Sequence, residues 1–154
     1  MKIFYCGGAD GQGAMLAGAI HLCRLPEGQT PTVRAIKQVW QRERREPSAW
    51  GSPLFLGMDE RGNEVYTLVL GVDPDIGLQA VCHLLKKVAD STCWKFYRIR
   101  SQMNLLSRLG CFCLHRLRLT GVGSFLIACG IRPGYGDLTR QVRQVKEWNS
   151  FDKT

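Results

Sequence analysis

The sequence has no long hydrophobic run and comparatively few acidic residues. No apolar stretch reaches the roughly 18 residues that a membrane-spanning helix needs, so we expect no membrane span. The residues before Gly7 include one lysine and too few apolar side chains for a signal-peptide core, so we expect a cytoplasmic protein. Only 13 acidic residues oppose 21 basic ones, which gives a net charge of +8. Such an excess attracts anions, among them phosphates and nucleic acid.

The cysteine pattern argues against disulfides and against a metal site. Seven cysteines cannot all pair within one chain, and in the cytoplasm we expect them to be reduced. The sequence lacks any C-x2-C pair. Cys111 and Cys113, two residues apart on a predicted helix, would point about 200° away from each other. Cys111 and His115 alone supply two ligands, whereas a structural zinc ion takes four. We therefore predict no metal site.

One segment, residues 7–13, organises the rest of the chain. It holds four glycines between the apolar run Lys2–Cys6 and the Ala/Leu-rich run Ala14–Cys23. This order predicts a strand, a glycine loop and a helix. The candidate anion-binding glycines are Gly7, Gly8, Gly11 and Gly13. Unpaired N–H groups and the positive end of the helix dipole make such a helix start suitable for an anion. The alternative is that the glycines only form a tight turn.

The glycine spacing does not complete a known nucleotide motif. Gly8 and Gly13 have the G-x4-G spacing of a phosphate-cradling loop. Ala14 and Met15 follow them, where nucleotide hydrolases of that class carry Lys and Ser or Thr. The dinucleotide pattern G-x-G-x-x-G fails as well, because Leu16 stands at its third glycine. We therefore expect anion binding without hydrolysis of a nucleoside triphosphate.

The periodicity predicts the order β-α-α-β-β-α-β-α-β-α. Thr30 is predicted to cap the second helix and Asp73 the third, and Asp59–Asn63 is predicted to form a hairpin turn. A continuous apolar run, Ser124–Cys129, is predicted as the fifth strand. The fold class that follows is α/β, with three layers, a mostly parallel sheet of about five strands, one β-hairpin, helices on both faces and a P-loop-like first βα junction. We predict a single domain over residues 1–148 and a frayed C-terminal tail over 149–154.

Two arginines extend the predicted anion site. In open α/β sheets, ligands bind beyond the carboxyl ends of the strands. The loops that follow the predicted fourth and fifth strands carry Arg100 and Arg132, and a guanidinium suits phosphate or carboxylate. We therefore predict one composite site from the glycine loop, Arg100 and Arg132. The alternative is that both arginines end their strands in water.

Other residues offer weaker candidates. Cys6 adjoins a helix start and is the weak candidate for a catalytic thiol, although a small buried hydrophobic role is favoured. A basic helix end, with Arg42, Arg44 and Arg45, offers a nucleic-acid or partner surface, although a solvated tail is favoured. His21 is interpreted as a satisfied core histidine. Asp59 is explained by its place in the turn.

The chain resembles a family of small uncharacterised single-domain proteins from spore-forming Firmicutes, classed as a domain of unknown function (DUF3189-type). The similarity covers about residues 3–145 and rests on three segments: Tyr5-Cys6-Gly7-Gly8-Ala9, Ala19-Ile20-His21-Leu22 with Leu25-Pro26, and Gly57-x-Asp59-x-x-Gly62-Asn63-x-Val65-Tyr66. The resemblance implies an α/β domain in a bacterial cytoplasm, without an assigned activity. In the first loop, the members of this family have a sequence that resembles Gly-Gly-x-His-Ser-Ser, whereas this chain has Asp10-Gly11-Gln12 at the His-Ser-Ser positions.

The leading hypothesis is a protein that binds a phosphate-bearing small molecule or nucleotide at the glycine loop. A basic module that binds nucleic acid or protein is the alternative, and a thiol-dependent enzyme that uses Cys6 is the third. The sequence indicates neither a cofactor nor an oligomeric state.

Overall fold

The computed structural model describes residues 1–8, 11–43, 51–88, 94–100, 105–116 and 120–151. The strands in these ranges are β1 (Lys2–Gly7), β2 (Leu54–Met58), β3 (Glu64–Val69) and β4 (Trp94–Arg98). The helices are α1 (Gln12–His21), α2 (Val33–Glu43), α3 (Pro74–Val88), α4 (Leu105–His115), α5 (Thr120–Ile131) and α6 (Tyr135–Phe151). A 3-10 turn, Arg132–Gly134, joins α5 to α6.

The strands form one mixed sheet in the order β2, β3, β1, β4. β1 pairs in parallel with both β3 and β4, and β2 pairs antiparallel with β3. Tyr5 in β1 lies opposite Thr67 and Tyr97. The predicted mixed, mostly parallel sheet with one hairpin is confirmed. Because β1 is flanked by strands on both sides, its run of apolar residues matches its place at the centre of the sheet.

Side chains of β1 alternate between two hydrophobic cores. Ile3 and Tyr5 are fully buried in the larger core, which α1, α2, α5 and α6 complete. Phe4 and Cys6 point to the opposite face, where Leu68 and the apolar side of α3 complete a smaller core. Helices therefore cover both faces of the sheet, as predicted.

The predicted fifth strand is wrong, because Ser124–Cys129 lies within α5. An apolar run of six residues fits a buried helix as well as a buried strand, and periodicity alone does not separate the two. The partner of this run is α4. A Cβ on Gly110 would lie 2.7 Å from the backbone nitrogen of Ile127 and 2.8 Å from the carbonyl oxygen of Gly123, so only glycine at position 110 permits this close approach of the two helices. The described sheet accordingly has four strands.

Some element boundaries also differ from the predicted ones. α1 begins at Gln12, two residues before the predicted start at Ala14. α2 is capped by Thr32 and not by Thr30, because the Thr32 hydroxyl accepts the N–H of Ala35 at 3.2 Å. At the other end of the chain, α6 continues to Phe151 and buries Asn149, so the predicted boundary at residue 148 falls inside this helix.

Candidate functional site

A cleft of about 420 Å³ opens at the carboxyl edge of the parallel strands. Gly13 in the first turn of α1 and Arg100, two residues after β4, both line it. The 3-10 turn contributes Pro133 and Gly134, and α6 forms another wall. This edge is the one at which open α/β sheets bind ligands, and the volume falls in the usual range for small-molecule pockets, roughly 300–1,000 Å³.

The four glycines of the loop have different surroundings. Gly7 ends β1, and a Cβ there would lie 3.0 Å from the Cβ of Ala14, so Gly7 lets α1 pack closely on the strand. Gly11 has φ +60° and donates its N–H to the carbonyl of half-buried Gly8 at 2.9 Å. A Cβ on Gly11 would lie 2.6 Å from Cγ2 of Val69. Tight packing accounts for Gly7 and Gly11, and of the four glycines Gly13 is the one that lines the cleft.

The first turn of α1 reaches the cleft through Gly13. Its N-cap is Gly11, which has no side chain to cap the turn, and the turn contains no acidic residue. The first N–H groups of an α-helix have no intrahelical acceptor, and the helix dipole gives this end a partial positive charge. The helix start at Gly13 therefore favours an anion over a cation.

Arg100 is fixed by its backbone while its side chain stays exposed. The side-chain amide of Gln141 in α6 accepts the N–H of Arg100 at 3.1 Å and donates to its carbonyl at 3.2 Å. Arg98, two residues earlier, pairs with Asp75 at the start of α3. In the described part of the chain, by contrast, the guanidinium of Arg100 makes no ion pair. Two hydrogen bonds thus fix the backbone of Arg100, and the charge of its guanidinium remains available to a ligand.

Arg132 lies beside the cleft and not in its lining. It opens the 3-10 turn whose next two residues, Pro133 and Gly134, form part of the wall, and its own side chain is exposed. Of the two arginines that the sequence predicts at one site, Arg100 lines the cleft, and Arg132 flanks it.

The cleft carries a second basic side chain and one acidic side chain. Asp137 and Arg140, one turn apart on α6, form an exposed ion pair with 3.4 Å between Nη1 and Oδ1. Because this pair is internally neutral, Arg100 and the helix dipole of α1 set the sign of the charge in the cleft. Both are positive.

Cys6 is fully buried on the α3 side of the sheet. Burial raises the pKa of its thiol to about 12, with a smaller contribution from Cys82. A protonated and inaccessible thiol is a poor nucleophile. These properties fit a small hydrophobic residue and do not support the thiol-enzyme hypothesis.

The basic helix end is described only in part. Arg42 is exposed in the last turn of α2, and Arg44 and Arg45 lie outside the described residues. The nucleic-acid or partner surface therefore stays a prediction. Where the structure describes side chains, no three His, Cys, Asp or Glu residues are grouped to hold a metal ion.

A second polar cluster lies at the opposite edge of the sheet, around His21. Its Nδ1 is 2.5 Å from the Tyr5 hydroxyl and its Nε2 is 3.2 Å from Oδ2 of Asp59. His21 is buried and both ring nitrogens are satisfied, so its interpretation as a core histidine is confirmed.

The protonation states in this cluster follow from its contacts. Burial lowers the pKa of His21, although the hydrogen bond to Asp59 acts in the opposite direction. Burial acts to raise the pKa of Asp59, but hydrogen bonds from Asn63, His21 and the Arg61 backbone outweigh it, so the pKa is lowered. Near neutral pH, Nε2–H of a neutral His21 donates to the Asp59 carboxylate, and Nδ1 accepts from Tyr5.

Sequence reasoning treated His21 and Asp59 as separate residues. They are 38 positions apart and belong to elements with independent local explanations, a helix end and a turn. The predicted turn is itself confirmed, since Oδ1 of Asp59 accepts the N–H groups of Arg61 at 2.9 Å and Asn63 at 2.8 Å. One feature could have indicated the contact between His21 and Asp59. In a β-α unit the helix runs antiparallel to the strands, so the last residue of α1 returns to the edge of the sheet where β3 begins.

Comparison with known protein families identifies one match. The family model described as "Protein of unknown function (DUF3189)" matches residues 2–147. The chain belongs to this family. The match spans every element from β1 into α6, so both the cleft and the His21 cluster lie within the family domain. No curated protein and no solved structure matches the chain.

None of the helices in the described ranges is long and apolar enough to cross a membrane.

Proposed function

We propose that the protein binds a small molecule bearing a phosphate group, such as a nucleotide or a phosphorylated metabolite, in the cleft at the carboxyl edge. The observation that carries the proposal is that Gly13, at the positive end of α1, and Arg100, without an ion-pair partner among the described residues, line the same cleft. A helix start and a guanidinium supply complementary donors for one phosphate. Arg132 on the flank is the second candidate donor.

The rest of the cleft suits the remainder of such a ligand. Leu16 and Leu138 supply apolar surface beside the polar groups, and Gln144 adds an amide that both donates and accepts hydrogen bonds. Small-molecule sites are typically built in this way, from apolar walls with a few polar groups that fix orientation. The proposal concerns binding, and it assigns no reaction.

Thermal unfolding with a panel of nucleotides and phosphorylated metabolites tests the proposal. A ligand present at 100 times its dissociation constant raises the free energy of unfolding by about 2.7 kcal/mol. We expect at least one phosphate ligand to do so, and its dephosphorylated counterpart to have little effect. Calorimetric titration then gives the dissociation constant.

Two matched variants separate a site from general charge attraction. Arg100→Gln removes a cleft arginine, and Arg116→Gln removes an exposed arginine in the turn after α4 that does not line the cleft. Both lower the net charge by one. We expect Arg100→Gln to weaken binding about tenfold or more, because hydrogen bonds to charged groups contribute about 1.5–3 kcal/mol. Equal weakening by both variants, or no phosphate ligand that stabilises the protein, would contradict the proposal.

A further inference from the structure

A second, smaller pocket lies at the amino edge of the sheet, away from the cleft. Its volume is about 110 Å³. The lining comes from His21 at the end of α1 and Cys23 just after it, from the turn with Asp59 and Asn63, and from α6 with Asn149. One buried water needs only about 10–15 Å³ of such space, so the pocket has room for a small organic group.

Two residues that line this pocket each have a buried polar atom without a hydrogen-bond partner among the described residues. The two atoms are Oδ1 of Asn63, an acceptor, and Nδ2 of Asn149, a donor. Asn63 is 1% exposed and Asn149 is 3% exposed, and both residues line the pocket. Buried polar groups are nearly always paired in folded proteins, so two unpaired atoms at one pocket indicate a missing partner.

Each of the two side-chain amides is held in place by a hydrogen bond through its other polar atom. Nδ2 of Asn63 donates to Oδ2 of Asp59 at 2.8 Å, which leaves Oδ1 as the free atom. Asp59 is itself held by His21. On the facing helix, the hydroxyl of Tyr97 donates to Oδ1 of Asn149 at 2.8 Å, which leaves Nδ2 as the free atom. The pocket therefore presents one fixed acceptor and one fixed donor.

The charges around the pocket are balanced. Two acidic side chains, Asp59 and Glu60, and two basic side chains, Arg61 and Lys146, line it. Asp59 is saturated by hydrogen bonds from His21, Asn63 and the Arg61 backbone, and Lys146 pairs with Glu27. The side chains that line the pocket carry no net formal charge, so the free donor and acceptor favour a neutral ligand.

We propose that this pocket binds the amide group of a small neutral molecule, a lactam or a primary carboxamide. The ligand N–H donates to Oδ1 of Asn63, and the ligand carbonyl accepts from Nδ2 of Asn149. An amide offers one donor and one acceptor, the two kinds of group that the unpaired acceptor and donor require. The site is separate from the phosphate cleft and does not depend on it.

Matched ligands test the proposal on the unmodified full chain. The probes are 2-pyrrolidone, which has both groups, and N-methyl-2-pyrrolidone, which lacks the N–H. Binding is followed by the side-chain NH2 signals of Asn63 and Asn149 in ¹⁵N-labelled protein. We expect 2-pyrrolidone to shift these signals and the N-methyl compound to bind at least about tenfold more weakly, equivalent to about 1.4 kcal/mol. Binding of neither probe would show that the pocket holds water only, and equal binding of the two would show that the ligand N–H is not recognised. Either result would overturn the proposal.

A variant pair assigns the binding to these atoms. Asn149→Asp replaces the free donor with an oxygen and still offers the Tyr97 hydroxyl an acceptor. Cys23→Ser is the control, because it changes the pocket lining without touching either free atom. We expect at least tenfold weaker 2-pyrrolidone binding in Asn149→Asp and unchanged binding in Cys23→Ser. Phosphate binding in the cleft should be unaffected in both, which keeps the two proposals separately testable. Unchanged 2-pyrrolidone binding in folded Asn149→Asp would refute the assignment.

Discussion

His21 and Asp59 form a buried contact, with Nε2 and Oδ2 separated by 3.2 Å, that ties the end of α1 to the turn before β3. The distance between the two side chains is short enough for an ion pair. His21 is nevertheless neutral, because burial lowers its pKa and favours the uncharged ring. The contact is a hydrogen bond from a neutral imidazole to a carboxylate.

Stability should therefore fall as the pH falls through the range where unfolded histidine becomes protonated. The pKa of His21 is lowered in the folded state, so between that value and about 6.5 the unfolded chain binds one more proton. The free energy of unfolding should decrease by up to about 1.4 kcal/mol per pH unit as the pH drops from 7 towards the folded pKa. Urea unfolding between pH 5 and 8 measures this slope.

Two histidine variants identify the source of that slope. His21→Gln keeps a donor and an acceptor but does not titrate, so it should flatten the dependence. His83→Gln, at an exposed position on α3, is the control for the substitution of histidine by glutamine. An unaltered slope in His21→Gln would show that another group is responsible.

Gly11→Ala should destabilise the protein by about 1–3 kcal/mol. Position 11 has φ +60°, which disfavours any side chain, and the new Cβ would lie 2.6 Å from Cγ2 of Val69. The comparison is Gly136→Ala in α6, where an added Cβ would lie more than 4 Å from every described atom outside its own helical turn and where φ is not positive. That change should stabilise by about 0.5–1 kcal/mol, since alanine favours helices. Urea unfolding measures both; a neutral Gly11→Ala would contradict the packing described here.

Alkylation of the folded protein should modify Cys23 well before Cys6. The Cys23 side chain is exposed, whereas Cys6 is buried with a pKa of about 12. At pH 8, such a pKa keeps the Cys6 thiol protonated, and the thiolate is the reactive form. Iodoacetamide treatment followed by peptide mass spectrometry gives the order of modification. Equal rates at the two positions would revive the thiol-enzyme hypothesis.

The sequence correctly predicted the caps and turns that are formed by residues close together in the chain. The cap at Asp73 is an example, since its carboxylate accepts the N–H groups of Asp75 at 3.1 Å and Ile76 at 3.3 Å. The turn at Asp59–Asn63 is another. In both, the residues that form the structure lie within four positions of each other, so the sequence contains the whole interaction.

Features that depend on distant partners were not predictable in the same way. α5 is apolar on nearly all sides, and what makes it a helix is its close packing on α4 through Gly110. The contact between His21 and Asp59 likewise needs the antiparallel return of α1. Arg100 was assigned correctly to the loop after β4, but the sequence does not show that Gln141 fixes its backbone. These relationships join segments between 13 and 41 residues apart.

All ten residues of α1 are buried, which gives this helix no solvent-facing side. Substitution at any of its positions is therefore a change to the protein interior, and its amide protons should be among the last to exchange with deuterated solvent. Its polar side chains, Gln12 and His21, stand at its two ends, so the helix places one polar side chain towards each edge of the sheet.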